Sequence, residues 1–554
     1  MASALAPETA LMEVTPNFSF VWASSGNPGG PFSPSAITYT VTNRGTVEPM
    51  AWSAAKSQPW VRLSSEGGVL GPGQSATITV SIDEAIAQDL AADGYSDPIV
   101  FTNLTNGAFL RQSGKVSTGT TSRFVTLNIF RTGDPLYQGF GAATKAGSGG
   151  TVFRVTTLED NGDDENPIPG SLRDAVSQRN RYILFDVAGT IVLKTHLWVE
   201  ADHLTIDGFS APPPGITLTR YGIILRGNRG AHDVFLRGLR IRDIVRSPTP
   251  DTEFDGIQIA NGAFNIVGDR LSVHGADDGS IDITDSAHDV TISWSILGPP
   301  KSGKNMLIKY HPSRISLHHN LLANSGSRNP QIGIDNERTP ATEITVDMRN
   351  NLVWKFGGGT LVARGSWANI VGNYYSKSSG AITVKTKGRA YTRGNVVHNS
   401  TENINRAGKE SAPFPAAEIV TTDAATAACQ VLNGAGVRPL DAIDQKLLAP
   451  IVLPRCAEEE SPPSVAITDP PTDSALSGGV TVTANAGGPM EIASVQFFLD
   501  GLALGPELVT SPFVQTWDTA SAADGPHMLH ARATDAVGNL AFSIGVPVTV
   551  QNGP

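Results

Sequence analysis

Two neighbouring segments of this chain carry opposite charge, and their side chains could hold a metal ion beside an anionic ligand. Residues 253–289 contain eight acids and one base, whereas residues 301–338 contain six bases and two acids. The six bases are Lys301, Lys304, Lys309, Arg314, Arg328 and Arg338. Because a hard divalent cation and basic side chains both attract carboxylates, this pairing favours the binding of a polyanion.

The spacing of the acids defines the candidate metal ligands. Glu253 and Asp255 are two residues apart, so on an extended segment both side chains face the same side. Asp278 and Asp282 are four residues apart on what would be the next turn. Calcium binds about six to eight oxygen atoms and accepts carboxylates from separate segments. A solvated acidic rim without a metal is the alternative that this pattern leaves open.

An irregular apolar repeat predicts how these segments are brought together. Apolar-x-apolar triplets recur with anchors at Val234, Ile266, Val290 and Ile315, which advance by 32, 24 and 25 residues. Triplets with period two are strands, and repeats of this length mark a solenoid in which each turn rests on the last. Strands stacked from successive turns run parallel, which predicts a right-handed parallel β-helix. The acidic turns then stack against the basic turns.

A second repeat places an asparagine before an apolar pair. Asn320, Asn351, Asn373 and Asn395 advance by 31, 22 and 22 residues. Asparagines that share one position on stacked turns form an amide ladder, and we expect one here. Unrelated turn asparagines are the alternative.

Length and composition set the class of protein. A chain of 554 residues is long enough for several domains. Its 40% hydrophobic and 17% charged residues predict a buried core, and 57 Gly with 37 Pro favour a turn-rich, mostly β protein. The net charge of −11 argues against general binding to nucleic acid or to a membrane surface.

The sequence leaves the compartment open. No stretch approaches the length of a membrane helix, and residues 1–7 lack the charged and apolar regions of a signal peptide. The chain is therefore either cytoplasmic or a secreted protein whose signal peptide is not present in this sequence. Cys429 and Cys456 are the only cysteines, and they form either one disulfide or two buried thiols.

Short alternating runs on both sides of the repeat predict two immunoglobulin-like β-sandwiches, at 1–134 and 458–554, around a β-helix at 135–457. The runs include 37–41, 76–80, 125–129 and 495–499. Both sandwiches resemble small modules of bacterial extracellular enzymes, and neither carries a catalytic constellation. Trp52 and Trp60 are predicted to lie in the core or at the edge of the sandwich rather than to stack on sugars.

From Gly139 onward the chain resembles the pectate lyase family, whose fold is a parallel β-helix. The matching runs are 139–144, 155–158, 169–175, 183–191, 204–208 and 234–242. Each run alone is weak, but together they follow the order of the family's opening turns. The resemblance implies a secreted, calcium-dependent lyase that acts on polygalacturonate. We expect a monomer without a nucleic-acid or membrane partner.

The resemblance also assigns the metal ligands. In the family, an acid-x-acid pair and an acid-x-x-x-Asp pair on the next turn bind catalytic calcium. These roles fall on Glu253, Asp255, Asp278 and Asp282, although the family more often has Asp at the first of these positions.

Two further motifs supply basic side chains. The run 304–308 resembles the family's Lys-x-Met-Leu-Ile segment, whose lysine binds a substrate carboxylate, and this role falls on Lys304. The run 327–330 resembles the family's Arg-x-Pro segment, whose arginine is the catalytic base, and this role falls on Arg328. The family usually has a second arginine three residues after the proline, where this chain has Gly333. Lys309 or Arg338 is the expected replacement.

Three other ionisable residues are predicted to be structural. Asp269 matches the aspartate of the family's Trp-Ile-Asp-His element, but its neighbours here differ. His318 and His319 precede Asn320 on a stacked strand, and no third ligand has the spacing of a zinc site.

The implied reaction is β-elimination within a uronic-acid polymer. The C5 proton is α to a carboxylate, so its removal builds negative charge that calcium and Lys304 would stabilise. Since free arginine has a pKa of about 12.5–13.8, an arginine base predicts an alkaline activity optimum.

Three alternatives stay open at this stage. A polygalacturonase-type hydrolase has the same fold and clustered aspartates, but its Gly-His-Gly and Arg-Ile-Lys segments are absent. A non-catalytic glycan-binding β-helix is suggested by Arg270, Lys309 and Gly333, which depart from the family pattern. A lyase that acts on another uronate polymer is the third.

Overall fold

The protein forms two compact units, Met1–Thr132 and Gly133–Pro554. The structure is a computed structural model. It describes residues 9–16, 21–111, 115–129, 136–245, 254–334, 344–376, 380–385, 387–398, 402–404, 408–453, 456 and 462–553. None of the helices in these ranges has the length and apolarity needed to span a membrane.

The first unit is a sandwich of two mostly antiparallel sheets. One sheet contains Met12–Thr15, Ala36–Asn43, Val61–Leu63, Ser75–Ile82, Ala108–Leu110 and Val116–Thr118. The other contains Val21–Gly26, Met50–Ala55, Gly67–Leu70, Gly94–Asn103 and Thr120–Ile129. A single helical turn, Glu84–Ala87, follows Ser75–Ile82. Trp52 and Trp60 are 3% and 1% exposed, which confirms that both belong to the core.

The second unit begins with a β-helix built from three parallel sheets, which we call the first, second and third faces. The first face contains Thr151–Val155, Arg181–Phe185, Leu204–Asp207, His232–Arg237, Phe264–Asp269, His288–Ser293, Ser313–His318, Ile344–Arg349, Ser366–Val371 and Arg389–Arg393. The second contains Gly189–Val192, Ile216–Arg220, Leu239–Ile244, Ser272–His274, Ile296–Leu297, Leu321–Ala323, Leu352–Trp354, Tyr374–Ser376 and Val396–His398. The third contains Leu197–Val199, Ile223–Arg226, Ile257–Ala260, Ile281–Thr284, Met306–Lys309, Gln331–Ile332, Thr360–Val362, Ile382–Val384 and Glu402–Ile404.

The apolar repeat identified in the sequence forms one buried column along this stack. Val234 pairs with Ile266, Ile266 with Val290, and Val290 with Ile315 on the first face. All four side chains are fully buried. Burial of one apolar column per face sets the register, because a slip of one residue would turn every side chain to the opposite side. The predicted parallel β-helix is confirmed.

The asparagine ladder is also confirmed. The Oδ1 atom of Asn351 accepts hydrogen bonds from the backbone N–H and the Nδ2 of Asn320, at 2.9 and 3.0 Å. Asn351 donates in the same way to Asn373, and Asn373 donates to Asn395. Each rung therefore satisfies polar groups of the turn before it, and Asn320, Asn351 and Asn373 are buried.

Helices cover the ends and sides of the stack. They are Leu172–Ala175, Ala424–Gly434 and Ala442–Leu448, with single 3₁₀ turns at Phe140–Ala143, Gly208–Ser210 and Gly227–Arg229. The helix Ala424–Gly434 begins at Asp423, whose carboxylate accepts the N–H groups of Ala425 and Thr426. Its apolar side packs on the second face over Leu352 and Tyr374. A disulfide joins Cys429 in this helix to Cys456.

A second sandwich follows the β-helix. Its sheets contain Ser464–Asp469, Gly479–Gly487 and Phe513–Asp518, and Ser474–Leu476, Ile492–Leu499, Leu502–Leu508, Gly525–Asp535, Leu540–Phe542 and Val546–Val550. A 3₁₀ turn lies at Thr519–Ser521. The sandwich packs on the outside of the first face, where the Tyr182 hydroxyl lies 3.1 Å from His530 Nε2 and donates to Asp207 at 3.0 Å. Arg237 and Arg270 donate to the sandwich carbonyls of Ser543 and Leu540.

The ladder gives a direct test of what stabilises the stack. Asn351→Ala removes an inner rung, so we expect the free energy of unfolding to fall by about 2–4 kcal/mol because several buried groups lose their partners. Asn395→Ala is the matched control at the partly exposed end of the ladder, where we expect a loss of about 1 kcal/mol or less. Calorimetric melting of both variants measures the difference. Equal losses would show that the ladder does not carry this stability.

Candidate functional site

Three of the predicted metal ligands lie together on the outside of the third face. Asp255 precedes the strand Ile257–Ala260, Asp282 lies within Ile281–Thr284, and Asp278 lies on the turn before that strand. One carboxylate oxygen from each residue lies within 4.8 Å of the others. Asp278 and Asp282 are 7% and 6% exposed, and Asp255 is half-buried. Strand stacking thus concentrates three negative charges at one mostly buried place.

Backbone amides hold two of these carboxylates in position. The N–H of Gly279 donates to Asp255 Oδ1 at 2.9 Å, and the N–H of Leu307 donates to Asp282 Oδ1 at 3.1 Å. Each amide comes from the turn that follows the acid it binds. The orientation of the carboxylates is therefore a property of the stack rather than of one loop.

The closeness of the acids changes their titration. Burial raises the pKa of Asp282 to about 7; the charge of Arg328 opposes this rise and the charge of Asp278 adds to it. Burial, followed by the charge of Asp282, raises the pKa of Asp255 well above its ordinary value. Without a bound cation, the neighbouring negative charges disfavour ionisation of Asp255 and Asp282.

Both predicted basic residues border the acidic cluster. Lys304 Nζ donates to Asp278 Oδ1 at 2.9 Å, and the Arg328 guanidinium lies 3.7 Å from Asp278 Oδ2. Arg328 has a left-handed backbone with φ of 61°, and its carbonyl accepts the N–H of Met306 at 2.8 Å. The side chains of Lys304 and Arg328 are 32% and 20% exposed, so both charged groups reach solvent.

Backbone conformation and close packing explain why this chain has glycine where the family has its second arginine. Gly333 has φ of 78°, and a Cβ atom at this position would lie 2.3 Å from Ser366 Oγ. In the neighbouring strand Met306–Lys309, Ile308 pairs with Ile332. The next residue, Lys309, therefore lies beside Gly333. Lys309 also lines the same cavity as the acids. Two predicted site residues, Glu253 and Arg338, lie outside the described residues.

A groove of about 700 Å³ runs along the third face and extends to both sides of the acids. Asp255, Asp278 and Asp282 line its middle, Arg226 lies on the turn before them, and Lys309 and Tyr310 follow on the turn after them. The groove is therefore bordered by both signs of charge, as expected for a site that binds a metal together with an anion.

The donor set fits calcium. All three ligands are carboxylates, and oxygens on opposite sides of a calcium ion are separated by about 4.6–5.2 Å at ordinary bond lengths. Gly279 leaves the space between them open, because a Cβ atom there would lie 2.6 Å from Asp282 Oδ1 and 3.0 Å from Asp255 Oδ1. The carbonyl oxygen of Asn305 lies 3.3 Å from the same point.

The three residues predicted to be structural are packed. Asp269 is 2% exposed and binds Arg270 at 3.0 Å and the hydroxyl of Ser293 at 2.8 Å. His318 and His319 are buried, and His319 stacks on Trp294 with ring centres 4.4 Å apart.

Sequence reasoning missed several residues of the groove. Trp198, Ile224, Gln258 and Asp282 form one outward column, in which each residue pairs with the next. The signal was present in the strand spacing, since the alignment of the apolar anchors on the third face places these residues in one row. Only Asp282, the one acidic member of the row, stands out by residue type.

Comparison with known proteins finds a family model and several curated relatives. A family model described as a bacterial Ig domain matches residues 463–531. A protein named "Probable pectate lyase C" from Emericella nidulans is 33% identical over 298 residues, which cover 52% of this chain and 65% of that protein. Its namesake from Aspergillus terreus is 33% identical over 274 residues, covering 48% and 59%. The chain thus spans about three fifths of the length of these curated relatives.

Solved structures of low sequence identity also align with this chain. A pectate lyase from Bacillus sp. N165, solved in complex with trigalacturonate, is 18% identical to this chain. The alignment covers 54% of this chain and 98% of that one, with a TM-score of 0.39.

Gly279 provides a test of the metal site that does not depend on catalysis. Gly279→Ala places a methyl group against two carboxylates, so we expect the calcium dissociation constant to rise about tenfold or more. Gly358→Ala is the matched control, because a Cβ atom at Gly358 meets nothing within 4 Å. Calorimetric titration with calcium measures both. Unchanged affinity in Gly279→Ala would place the metal elsewhere.

The raised pKa values predict that protons compete with calcium. Because Asp282 has a pKa of about 7 and that of Asp255 is also raised, we expect calcium affinity to fall below pH 7, by about tenfold per pH unit for each proton displaced. Titrations at pH 8.5, 7.0 and 5.5 in buffers of different ionisation enthalpy measure affinity and proton release together. Affinity that is independent of pH would contradict the assignment.

In the calcium-free protein, the raised pKa of Asp282 also makes the free energy of unfolding depend on pH. An aspartate in the unfolded chain has a pKa of about 3.9. Asp282 therefore holds its proton more tightly in the folded protein, and proton binding stabilises the folded state. This contribution is complete below about pH 3.9 and is lost as the pH rises through about 7. Added calcium should remove it.

Proposed function

We propose that the central β-helix, which is related to the pectate lyases, cleaves polygalacturonate by calcium-dependent β-elimination. One observation carries the proposal. Three carboxylates from two successive turns lie together, and the cations Lys304 and Arg328 border them from the two turns that follow. This arrangement supplies a metal site with a carboxylate-binding group and a basic group at its border.

Calcium held by Asp255, Asp278 and Asp282 would bind a uronate carboxylate and so stabilise the negative charge that forms when the α proton leaves. Substrate binding and proton transfer are carried out by side chains of the protein itself. Lys304, whose amino group already lies at a carboxylate, binds and orients the substrate carboxylate beside the acids. Its positive charge also stabilises the developing carbanion.

Arg328 takes the C5 proton in this scheme. The electron pair of the C5–H bond forms the C4–C5 double bond, and the C4–O bond breaks with its pair leaving on the oxygen. That oxygen takes a proton from solvent, so no water is added to the sugar. Arg328 acts as a base only when its guanidinium is deprotonated.

We also infer that the protein works outside the cytoplasm, on an extracellular acidic polysaccharide. The Cys429–Cys456 disulfide supports this inference, because disulfides persist in oxidising compartments and are rare in reducing ones. The Ig-like domain at 463–531 is packed on the β-helix rather than separated from it. We propose that this domain supports the fold of the lyase domain.

The proposal is tested with Arg328→Ala and Arg328→Lys on polygalacturonate. Loss of the base should lower the turnover number by about a hundred- to ten-thousandfold, while calcium binding persists because Arg328 is not a ligand. The measurement is the ultraviolet absorbance of the unsaturated product, with calcium and with a chelator, beside calcium titrations.

Arg393→Ala is the matched control, since Arg393 is an exposed arginine of the same β-helix. A wild-type turnover number for Arg328→Ala would show that another group is the base. Release of saturated reducing ends without ultraviolet absorbance would indicate hydrolysis instead of elimination.

A further inference from the structure

Two histidine–aspartate pairs lie together at the corner between the third and first faces, and we call these four residues the corner cluster. Asp202 and His203 precede the strand Leu204–Asp207, and His232 and Asp233 lie at the start of the strand one turn later. One nitrogen of each histidine and one carboxylate oxygen of Asp233 lie within 4.8 Å of one another. The candidate calcium ligands precede or belong to third-face strands, whereas the corner cluster follows such strands, so the two clusters are separate.

Asp202 brings a second carboxylate to the corner cluster. Its Oδ1 lies 2.6 Å from His203 Nδ1, and its Oδ2 lies 3.9 Å from His232 Nε2. The other nitrogen of His232, Nδ1, lies 2.7 Å from Asp233 Oδ2. Since that nitrogen is bound to one carboxylate, Nε2 is the nitrogen nearer the other, at a distance too long for a direct hydrogen bond.

The same histidine–aspartate pair recurs two turns later with a different neighbour. His232 pairs with Phe264, which pairs with His288, so the two histidines occupy one position of the stack. His288 Nδ1 lies 2.8 Å from Asp289 Oδ2. One turn further on, the guanidinium of Arg314 binds the same carboxylate at 2.6 Å. At this pair an arginine therefore balances the charge of the buried acid.

Asp233 has an amide where Asp289 has a guanidinium. Asn265, on the following turn, donates to Asp233 Oδ1 at 3.1 Å. Asp233 is fully buried, and in the part of the chain that the structure describes it forms no ion pair with a lysine or an arginine. Asp202 does bind an arginine, the exposed Arg179, at 2.8 Å. A buried carboxylate that lacks a fixed cation is costly, and a bound cation removes that cost.

The donor set of the corner cluster suits zinc. Imidazole nitrogens and carboxylate oxygens bind Zn²⁺ at about 2.0–2.2 Å, which places the ligand atoms of a tetrahedral ion about 3.3–3.5 Å apart. Shifts of about 1 Å would bring the four side chains to such an ion. Calcium binds oxygen ligands, so the two imidazoles disfavour it. Two carboxylates also balance the charge of a divalent ion when both imidazoles are neutral.

The corner cluster is buried but close to the surface. The side chains of His203, His232 and Asp202 are 9%, 10% and 17% exposed, whereas that of Asp233 is 0% exposed. The two turns also touch through their backbones, since the N–H of His203 donates to the carbonyl of His232 at 3.2 Å. An ion that enters beside Asp202 would therefore reach ligands that the stack already holds together.

We propose that the corner cluster binds one zinc ion, which joins two successive turns near the N-terminal end of the β-helix; the ligands are Asp202, His203, His232 and Asp233. Four protein ligands leave no open position, so the ion is structural. An ion that binds only the folded protein raises the free energy of unfolding. The proposal is independent of the proposed lyase activity, because it uses no residue assigned to calcium or substrate.

The test measures zinc affinity by competition with a chromophoric chelator, on protein first stripped of metal and then saturated with calcium. Saturating calcium keeps zinc from the acidic cluster on the third face. His203→Gln, His232→Gln and Asp233→Asn each remove one ligand. His288→Gln is the matched control, because His288 has the same position in the stack and the same adjacent aspartate. Circular dichroism reports whether each variant folds.

We expect the wild type and His288→Gln to bind one zinc ion per chain, and to melt about 2–4 °C higher with zinc than without it. Zinc affinity should fall about a hundredfold in His203→Gln and His232→Gln, and at least about tenfold in Asp233→Asn. These three variants should also lose the increase in melting temperature.

A second readout needs no variant. Four-coordinate cobalt(II) with nitrogen and carboxylate ligands absorbs visible light far more strongly than six-coordinate cobalt(II) with oxygen ligands. Titration of the calcium-saturated wild type with cobalt should therefore produce this strong absorbance, and added zinc should abolish it.

Unchanged zinc affinity in folded His203→Gln and His232→Gln would overturn the site, as would an equal loss in His288→Gln. A wild type that binds no zinc and gives no strong cobalt absorbance would also overturn it, and would indicate that a proton on His232 balances the acids instead. None of these results bears on the elimination reaction, and a protein that binds zinc here without cleaving polygalacturonate would contradict only the proposed function.

Discussion

In-register parallel pairing of short strands is the constraint on which the rest of the β-helix depends. The column from Val234 through Ile266 and Val290 to Ile315 is fully buried, and it fixes which residue of each turn faces inward. Outward side chains then form columns with a constant spacing of about 4.8 Å. Residues far apart in sequence, such as Trp198 and Asp282, become members of one row for this reason alone.

The same constraint creates an electrostatic cost. Placing Asp255, Asp278 and Asp282 together buries like charges, and the raised pKa of Asp282 reports that cost. Two backbone amides and the neighbouring cations Lys304 and Arg328 offset part of it. A divalent cation would offset the remainder, which is why this arrangement is better suited to metal binding than to stability of the metal-free protein.

Much of the fold could be predicted from the sequence because its signals are local or strictly periodic. The anchors at Val290 and Ile315, the asparagine ladder and the buried Trp60 all follow from residue type and spacing. The acidic and basic turns were predictable for the same reason, since charged residues next to an apolar repeat stand out. Pairing across one turn then brings Lys304 to Asp278.

Other features depend on register across loops of unequal length, which spacing alone does not determine. The column that contains Gln258 depends on the exact pairing of third-face strands. The reason for glycine at Gly333 lies in Ser366, which belongs to the next turn. Docking of the second sandwich through His530 onto Tyr182 involves residues without any motif. The disulfide was one of two equal choices until the two cysteines were placed.

The most direct test of the account is a crystal structure of the protein grown with calcium at alkaline pH. The account predicts one ion bound by carboxylate oxygens of Asp255, Asp278 and Asp282, in the space that Gly279 leaves open and beside Arg328. An ion bound elsewhere, or carboxylates that point away from one another in the presence of calcium, would contradict it.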